Sequence, residues 1–391
     1  FKFCVLLMGG TQVKTSVADF VFFARELEDL EDRDRQIELS EKDLKMLNPN
    51  TRTCPIFRTK RDAELTKRIY RRVPILVDEN RREGGNPWGV KFATMFHQTN
   101  DAELFRSGKE LADEGFRLEA NRWIKRKEVY LPLYEAKMIQ AYDHRAASVI
   151  VEAGNWMRQG QPEDTSLVEH QNAEFVVLPR FWMSQEKVDE LCDGPGWMLA
   201  YKDVTSPTNQ RTMIAAIVPK VGLMNSAPFM KIESKLRAPI QCCLLANLNS
   251  IAYDFVARQK VGGLHLNFFI VEQLPTFPPD RYADKCPWDK KTTLEDWISQ
   301  RVLKLTCTAN DMVPLAEAAK FSPKVHRWNE DERAKLRAEL DAAYFILYEI
   351  KRDDVEYILS QFQGIVNEDV AHGGVGQTRR LIRQALDGLG A

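Results

Sequence analysis

No apolar run in these 391 residues approaches the roughly 20 that a membrane-spanning helix requires. The longest, residues 1–8, is strand-sized and carries Lys2, so no membrane partner is expected. None of the seven cysteines stands in a C-x-x-C pair, and no histidine-rich tract accompanies them. That excludes a zinc knuckle or a disulfide framework as the organising element and reads as the reduced thiols of a cytoplasmic protein. Excess charge of either sign is also lacking: 55 Lys+Arg against 56 Asp+Glu leave −1. A uniformly basic coat is thereby excluded, though a local basic groove is not. Eighteen prolines and 20 glycines are ordinary usage, which argues against a fibrous or disordered chain.

Recognisable catalytic motifs are missing too. Phe277 precedes Pro278-Pro279 and Asp280 follows, so acceptor and ring are both misplaced for an acid/Asn-Pro-Pro-aromatic loop that holds a target amine. Gly373-Gly374-Val375-Gly376 lacks the preceding strand that a nucleotide-binding turn needs and reads as a loop between terminal helices. His144 beside Asp143, and His265 near Asn267, have no nucleophile at a recognisable elbow.

What is present is ample core material, with 44% hydrophobic residues and a length that suits two or three domains. Residues 1–8 predict a core strand, and residues 18–24 an antiparallel partner. Because Phe1 falls inside that strand, the chain is expected to be part of something longer. Residues 25–43 are strongly acidic and read as a solvated linker with a short helix after Ser40. From 48 to 285 we expect a mixed domain. It holds a helix near Asp62, helical structure around 102–111 and short β segments at 174–178, 197–201 and 212–218. One apolar helix over about 239–259 has Leu244, Leu248, Ile251 and Phe255 on one face. From 286 to 391 the periodicity turns helical, at 294–305, 329–349, 355–362 and 378–389. The fold class is therefore α+β: a residual β-hairpin, a mixed α/β middle domain and a C-terminal helical domain.

Two stretches suggest binding. Residues 48–73 carry Arg52, Arg58, Lys60, Arg61, Lys67, Arg68, Arg71 and Arg72 against Asp62 and Glu64 alone. Such a charge run can be a solvated face, but interleaved threonines, Ile56 and Phe57 indicate a shaped segment, and arginine forks suit phosphate. The second stretch, 258–267, follows the apolar helix with Lys260, Gly262, Gly263, His265 and Asn267. Its glycines permit close backbone approach; a helix C-cap leading into a strand would explain them equally well.

These stretches carry a resemblance. Asn48-Pro49-Asn50-Thr51-Arg52-Thr53-Cys54-Pro55-Ile56-Phe57-Arg58, with Arg61-Asp62-Ala63-Glu64-Leu65 and Ile69-Tyr70, resembles a signature of large single-chain adenine-specific DNA methyltransferases. Those enzymes belong to restriction–modification and phage-defence systems such as BREX and DISARM. Residues 132–139 with Tyr142-Asp143-His144-Arg145 resemble their second signature. Residues 244–250, 263–268 and 272–275 are similar to target-recognition domains, a pattern shared with type I specificity subunits. Residues 336–342 and 357–359 match the family's tail.

The resemblance implies double-stranded DNA as partner, and a parent enzyme that transfers a methyl group from S-adenosylmethionine to adenine N6. The family's glycine loop for that cofactor and its Asn-Pro-Pro-aromatic tetrad are absent from this sequence, so no cofactor and no catalytic residue are expected here. Residues 1–47 would be the end of the missing methyltransferase domain and its linker. Phosphate contacts are assigned to Arg52, Arg58, Lys60, Arg61 and Lys260, with Gly262 and Gly263 allowing close approach. His144, Arg145, His265 and Asn267 are expected to shape or line the groove. Thr205, Asn209 and Arg211, in a polar loop between apolar segments, are candidates for base readout. The alternative is a protein–protein docking module for other subunits of a defence complex.

Overall fold

The computed structural model describes residues 4–13, 15–151, 160–192, 194–206 and 209–390. At its centre is a four-stranded antiparallel sheet, in the order Ala215–Pro219, Trp197–Tyr201, Phe229–Lys231 and Lys91–Ala93. Period-2 alternation sorts its side chains into two cores. Leu199, Tyr201, Ala215, Ile217 and Met230 face the helices. Met198, Ala200, Ala216, Val218 and Phe229 face a second sheet. That sheet is built on Glu128–Tyr134, which pairs with Arg122–Lys125, Phe181–Ser184 and, in parallel, Gly222–Leu223. Because both faces of the sheet are covered there, strands Trp197–Tyr201 and Ala215–Pro219 are apolar throughout rather than alternating.

On the helical side, Ala238–Asn249 packs between strand Ala215–Pro219 and helix Leu294–Thr306. The single helix expected over 239–259 is two helices, Ala238–Asn249 and Ile251–Arg258, bent by 52°. The break has a local cause. Ser250 is extended (φ −68°, ψ 145°), and its hydroxyl donates to the Asn247 carbonyl at 2.8 Å and accepts from the Tyr253 N–H at 3.3 Å, a cap for the second helix. Next to it, the Asn249 amide brackets the Ala215 backbone, accepting from its N–H and donating to its carbonyl at 2.9 Å each. No single helix among the described residues is long and apolar enough to cross a membrane; this bent pair reaches the length only jointly.

The C-terminal helices Glu330–Leu347 and Gln377–Gly388 close over this elbow. Asn329 caps the first by accepting from the Glu332 N–H at 2.8 Å. Gly373-Gly374-Val375-Gly376 lies between the last two helices, with Gly373 and Gly374 at positive φ. Buried tyrosines fasten the tail: Tyr344 donates to the Cys243 carbonyl at 2.8 Å and Tyr348 to that of Pro275 at 2.7 Å. One apolar core thus runs from Ile37 to Leu386 and crosses residue 285 without a gap in packing.

The N-terminal hairpin differs from expectation. Residues 1–3 of the expected first strand lie outside the described residues, and 4–10 form no strand. The observed pair is Val17–Phe20 with Ile37–Ser40, antiparallel. The partner comes from the expected linker because Ile37 and Leu39, alternating with Glu38, are both 1% exposed. Glu41–Leu47 is the short helix expected after Ser40, opened by a Ser40/Asp43 capping box. The helix expected around 102–111 is interrupted, because the Ser107/Glu110 capping box starts a new one at Gly108.

Candidate nucleic-acid interface

The segment before helix Lys60–Tyr70 is anchored along its length. Gln273 accepts from the N–H groups of Asn50 and Thr51 at 2.9 and 3.1 Å, and Ile56 N–H donates to the Gln259 carbonyl at 2.8 Å. Arg52 takes a left-handed conformation, φ 53°, that turns its side chain into solvent. A Thr59/Asp62 capping box opens the helix. Tyr357 holds both capping residues, with its hydroxyl 2.7 Å from Thr59 Oγ1 and 2.9 Å from Asp62. Burial pushes the Asp62 carboxyl above the usual carboxylate range.

The cations of this segment divide into two groups. Arg61 and Arg68 converge on Asp354, Arg61 also lies over the Tyr357 ring at 4.2 Å, and Arg72 pairs with Glu349. These ties dock the helix onto the C-terminal tail. Arg52, Arg58, Lys60 and Arg71 are exposed and make no ion pair among the described residues. Arg58 rests on the Phe23 ring at 5.3 Å and, with Gln259, Gln361 and Gln363, lines a small cleft of about 150 Å³.

Residues 203–206 and 264–266 run side by side. Thr205 N–H donates to the Leu264 carbonyl at 2.9 Å and Leu266 N–H to that of Asp203 at 2.8 Å. This pairing raises a ridge on which Val204, Leu264, His265, Asn267 and Phe269 are all exposed. His265 Nδ1 lies 2.7 Å from Asp203. Gly262 packs against Ile56, where a Cβ would come within 3.0 Å of its Cδ1; Gly263 has open space around it. The ridge therefore abuts the segment that carries Arg58.

Several residues assigned to DNA contact do other work. Lys260 points inward: its ammonium donates to the Leu47 carbonyl, to Asn48 Oδ1 at 2.6 Å and to the Gln273 carbonyl at 2.8 Å. Burial holds it well below the ordinary lysine range. His144 and Arg145 are 1% and 0% exposed, which takes them out of direct reach of a groove. His144 Nε2 is 2.9 Å from Asp311 Oδ1. Arg145 donates to the carbonyls of His170, Asn172, Phe175 and Thr308 at 2.8–3.1 Å. Thr205 is buried and donates to the Thr212 carbonyl at 2.7 Å. Arg211 pairs with Asp254 at 2.9 Å and reaches the Asn249 carbonyl. Asn209 is exposed, and its carbonyl accepts from Arg258 at 2.8 Å.

Charge inside the apolar elbow went unread in the sequence. Asp254 is fully buried; it accepts from the Thr212 N–H at 3.0–3.1 Å and pairs with Arg258 at 3.2 Å. Arg258 lies 3.9 Å from the Phe362 ring centroid. The signal was available: a lone acid in an otherwise apolar run, with an arginine four residues on.

Comparison with known proteins returns no matching family model and no match among curated proteins.

Proposed function

We propose that this chain binds double-stranded DNA and reads sequence from it, as the target-recognition part of an adenine-N6 methyltransferase. The observation that carries the reading is the ridge with exposed Val204, Leu264, His265, Asn267 and Phe269, bordered by the segment whose cations Arg52, Arg58, Lys60 and Arg71 make no ion pair among the described residues. Exposed Val204, Leu264 and Phe269 offer apolar contacts of the kind that meet thymine methyl groups or wedge a base step. His265 and Asn267 add polar groups for base edges, and Asn suits adenine. The four cations would set register on the phosphates without reading sequence.

The test is duplex binding as a function of salt. Wild type should weaken as salt rises, with a slope of about −0.9 per neutralised phosphate. The quadruple variant R52Q/R58Q/K60Q/R71Q should flatten that slope by up to about 3 to 4, whereas L264S/F269S should reduce preference among sequences and leave the slope alone. An unchanged slope in the quadruple variant rules the assignment out.

Docking to a protein partner is favoured by a different observation. Val5, Leu6, Leu7 and Met8 are 73–93% exposed, an apolar run without a covering surface among the described residues. Recovery of protein partners together with absence of duplex binding would select that reading.

A further inference from the structure

A cavity of about 520 Å³ lies between the elbow at Ser250 and the C-terminal helices, within the ~300–1,000 Å³ range of small-molecule sites. One wall is helix Glu330–Leu347, where Ala334 and Ala338 leave room. The facing wall sets apolar Ile365, Leu381 and Ile382 beside polar Glu368, Gln377 and Thr378.

Two charged side chains of that helix line the cavity. Asp341 is only 9% exposed. Its Oδ1 accepts from the Ile251 N–H at 2.7 Å, while its second oxygen makes no hydrogen bond and no ion pair among the described residues. That oxygen is not sealed off from solvent, so it can accept from a donor that enters the cavity. Burial pushes its carboxyl up to about 6, against the pull of Arg211 and Arg337, so at neutral pH it remains mainly ionised. Arg337 is exposed at the cavity and makes no ion pair or hydrogen bond among the described residues. The two stand one helical turn apart, a spacing that sets Cβ atoms about 5–6 Å from each other and ordinarily lets such a pair close on itself. Here it stays open, with the cavity beside it.

A negative and a positive group so closely spaced, next to an apolar recess, complement a molecule with an ammonium and a carboxylate on one carbon. We propose that the cavity binds a free α-amino acid with a bulky apolar side chain. Its ammonium donates to the second oxygen of Asp341, its carboxylate meets the Arg337 guanidinium, and its side chain packs against Ile365, Leu381 and Ile382. The volume exceeds what a small amino acid fills, so large side chains are preferred. The site does not depend on the DNA-binding reading.

The full chain is titrated calorimetrically with L-tryptophan, L-phenylalanine, L-methionine and glycine. Tryptamine, lacking the carboxylate, and indole-3-propionate, lacking the amine, are the controls, and adenosine 5′-monophosphate represents a different ligand class. Tryptophan or phenylalanine should bind saturably and more tightly than glycine, and either deletion should weaken binding by about tenfold or more. D341N and R337Q should each do the same. D341N keeps an oxygen for the Ile251 N–H, and R337Q changes an exposed residue; circular dichroism melting confirms that each is folded, and R337Q decides alone if D341N is not. The proposal is overturned if no amino acid binds at millimolar concentration. It is equally overturned if the deletion analogues bind as well as tryptophan, if the folded variants bind like wild type, or if only the nucleotide binds.

Discussion

Lys260 shows how a residue can be right in type and wrong in direction. In sequence it sits in a glycine-rich polar loop and invites a phosphate. In the structure it collects oxygens from Leu47, Asn48 and Gln273, two of them more than 200 positions away, which no local pattern can reveal. K260M should therefore lower stability by about 2–3 kcal/mol, because acceptors lose a buried donor, and leave the salt slope of duplex binding unchanged; urea unfolding and salt titration measure the two effects separately. Arg145 makes the same point more strongly. R145M strips four carbonyls of their donor and should cost about 3 kcal/mol or more, read as a shift of the denaturation midpoint. Loss of DNA binding in a folded R145M protein would contradict a purely structural role. Arg52, Arg58 and Lys60, in contrast, were readable as exposed cations because the segment holds too few acids to pair them locally.

At the scale of elements, periodicity located the long helices, and capping chemistry decided where several of them begin. The elbow is the instructive exception. Leu244 to Val256 keeps one apolar rhythm across Ser250, so the pattern alone predicts a single rod, whereas the serine hydroxyl and the Asn249 amide divert backbone hydrogen bonds at the junction. Asp341, opposite this elbow, predicts a pH dependence. Its carboxyl is raised in the folded state to about 6 from an ordinary value of 3.8. The protonated form is thus favoured by folding, and that contribution, complete below pH 4, is lost as pH rises to 6. The loss amounts to about 3 kcal/mol at most. D341N should flatten this segment of the stability profile, as followed by denaturant midpoints between pH 4 and 7. Asp143 and Asp311 work in the opposite sense. Although burial opposes it, His170 and His144 respectively help to hold their carboxyls below the usual range, so their contribution fades only under strongly acid conditions.

For the whole molecule, the α+β class was legible, because strand-sized apolar clusters gave way to helical periodicity after Trp288. Which surfaces face each other was not. Residues 143–145 and His170 are tied to the segment 308–333 through Arg145 to Thr308, His144 to Asp311, and His170 stacked on Trp328 with ring centroids 3.8 Å apart. Arg333 lies on Trp328 at 3.5 Å. With one core extending from Ile37 to Leu386, a composition change near 285 does not mark a place where the chain comes apart. A fragment ending at 285 should expose the elbow helices and aggregate, and limited proteolysis of the intact chain should spare 285–305. Independent folding of the two halves, seen as separate unfolding transitions, would refute this.

The ridge is held by main-chain pairing between residues 203–206 and 264–266, which asks nothing of the side chains at 204 and 264. Those positions behave like type in a tray: letters can be exchanged while the frame stays locked. On the proposed DNA-reading role, a change of specificity should thus be attainable by swapping a few outward residues, with little penalty to the scaffold beneath.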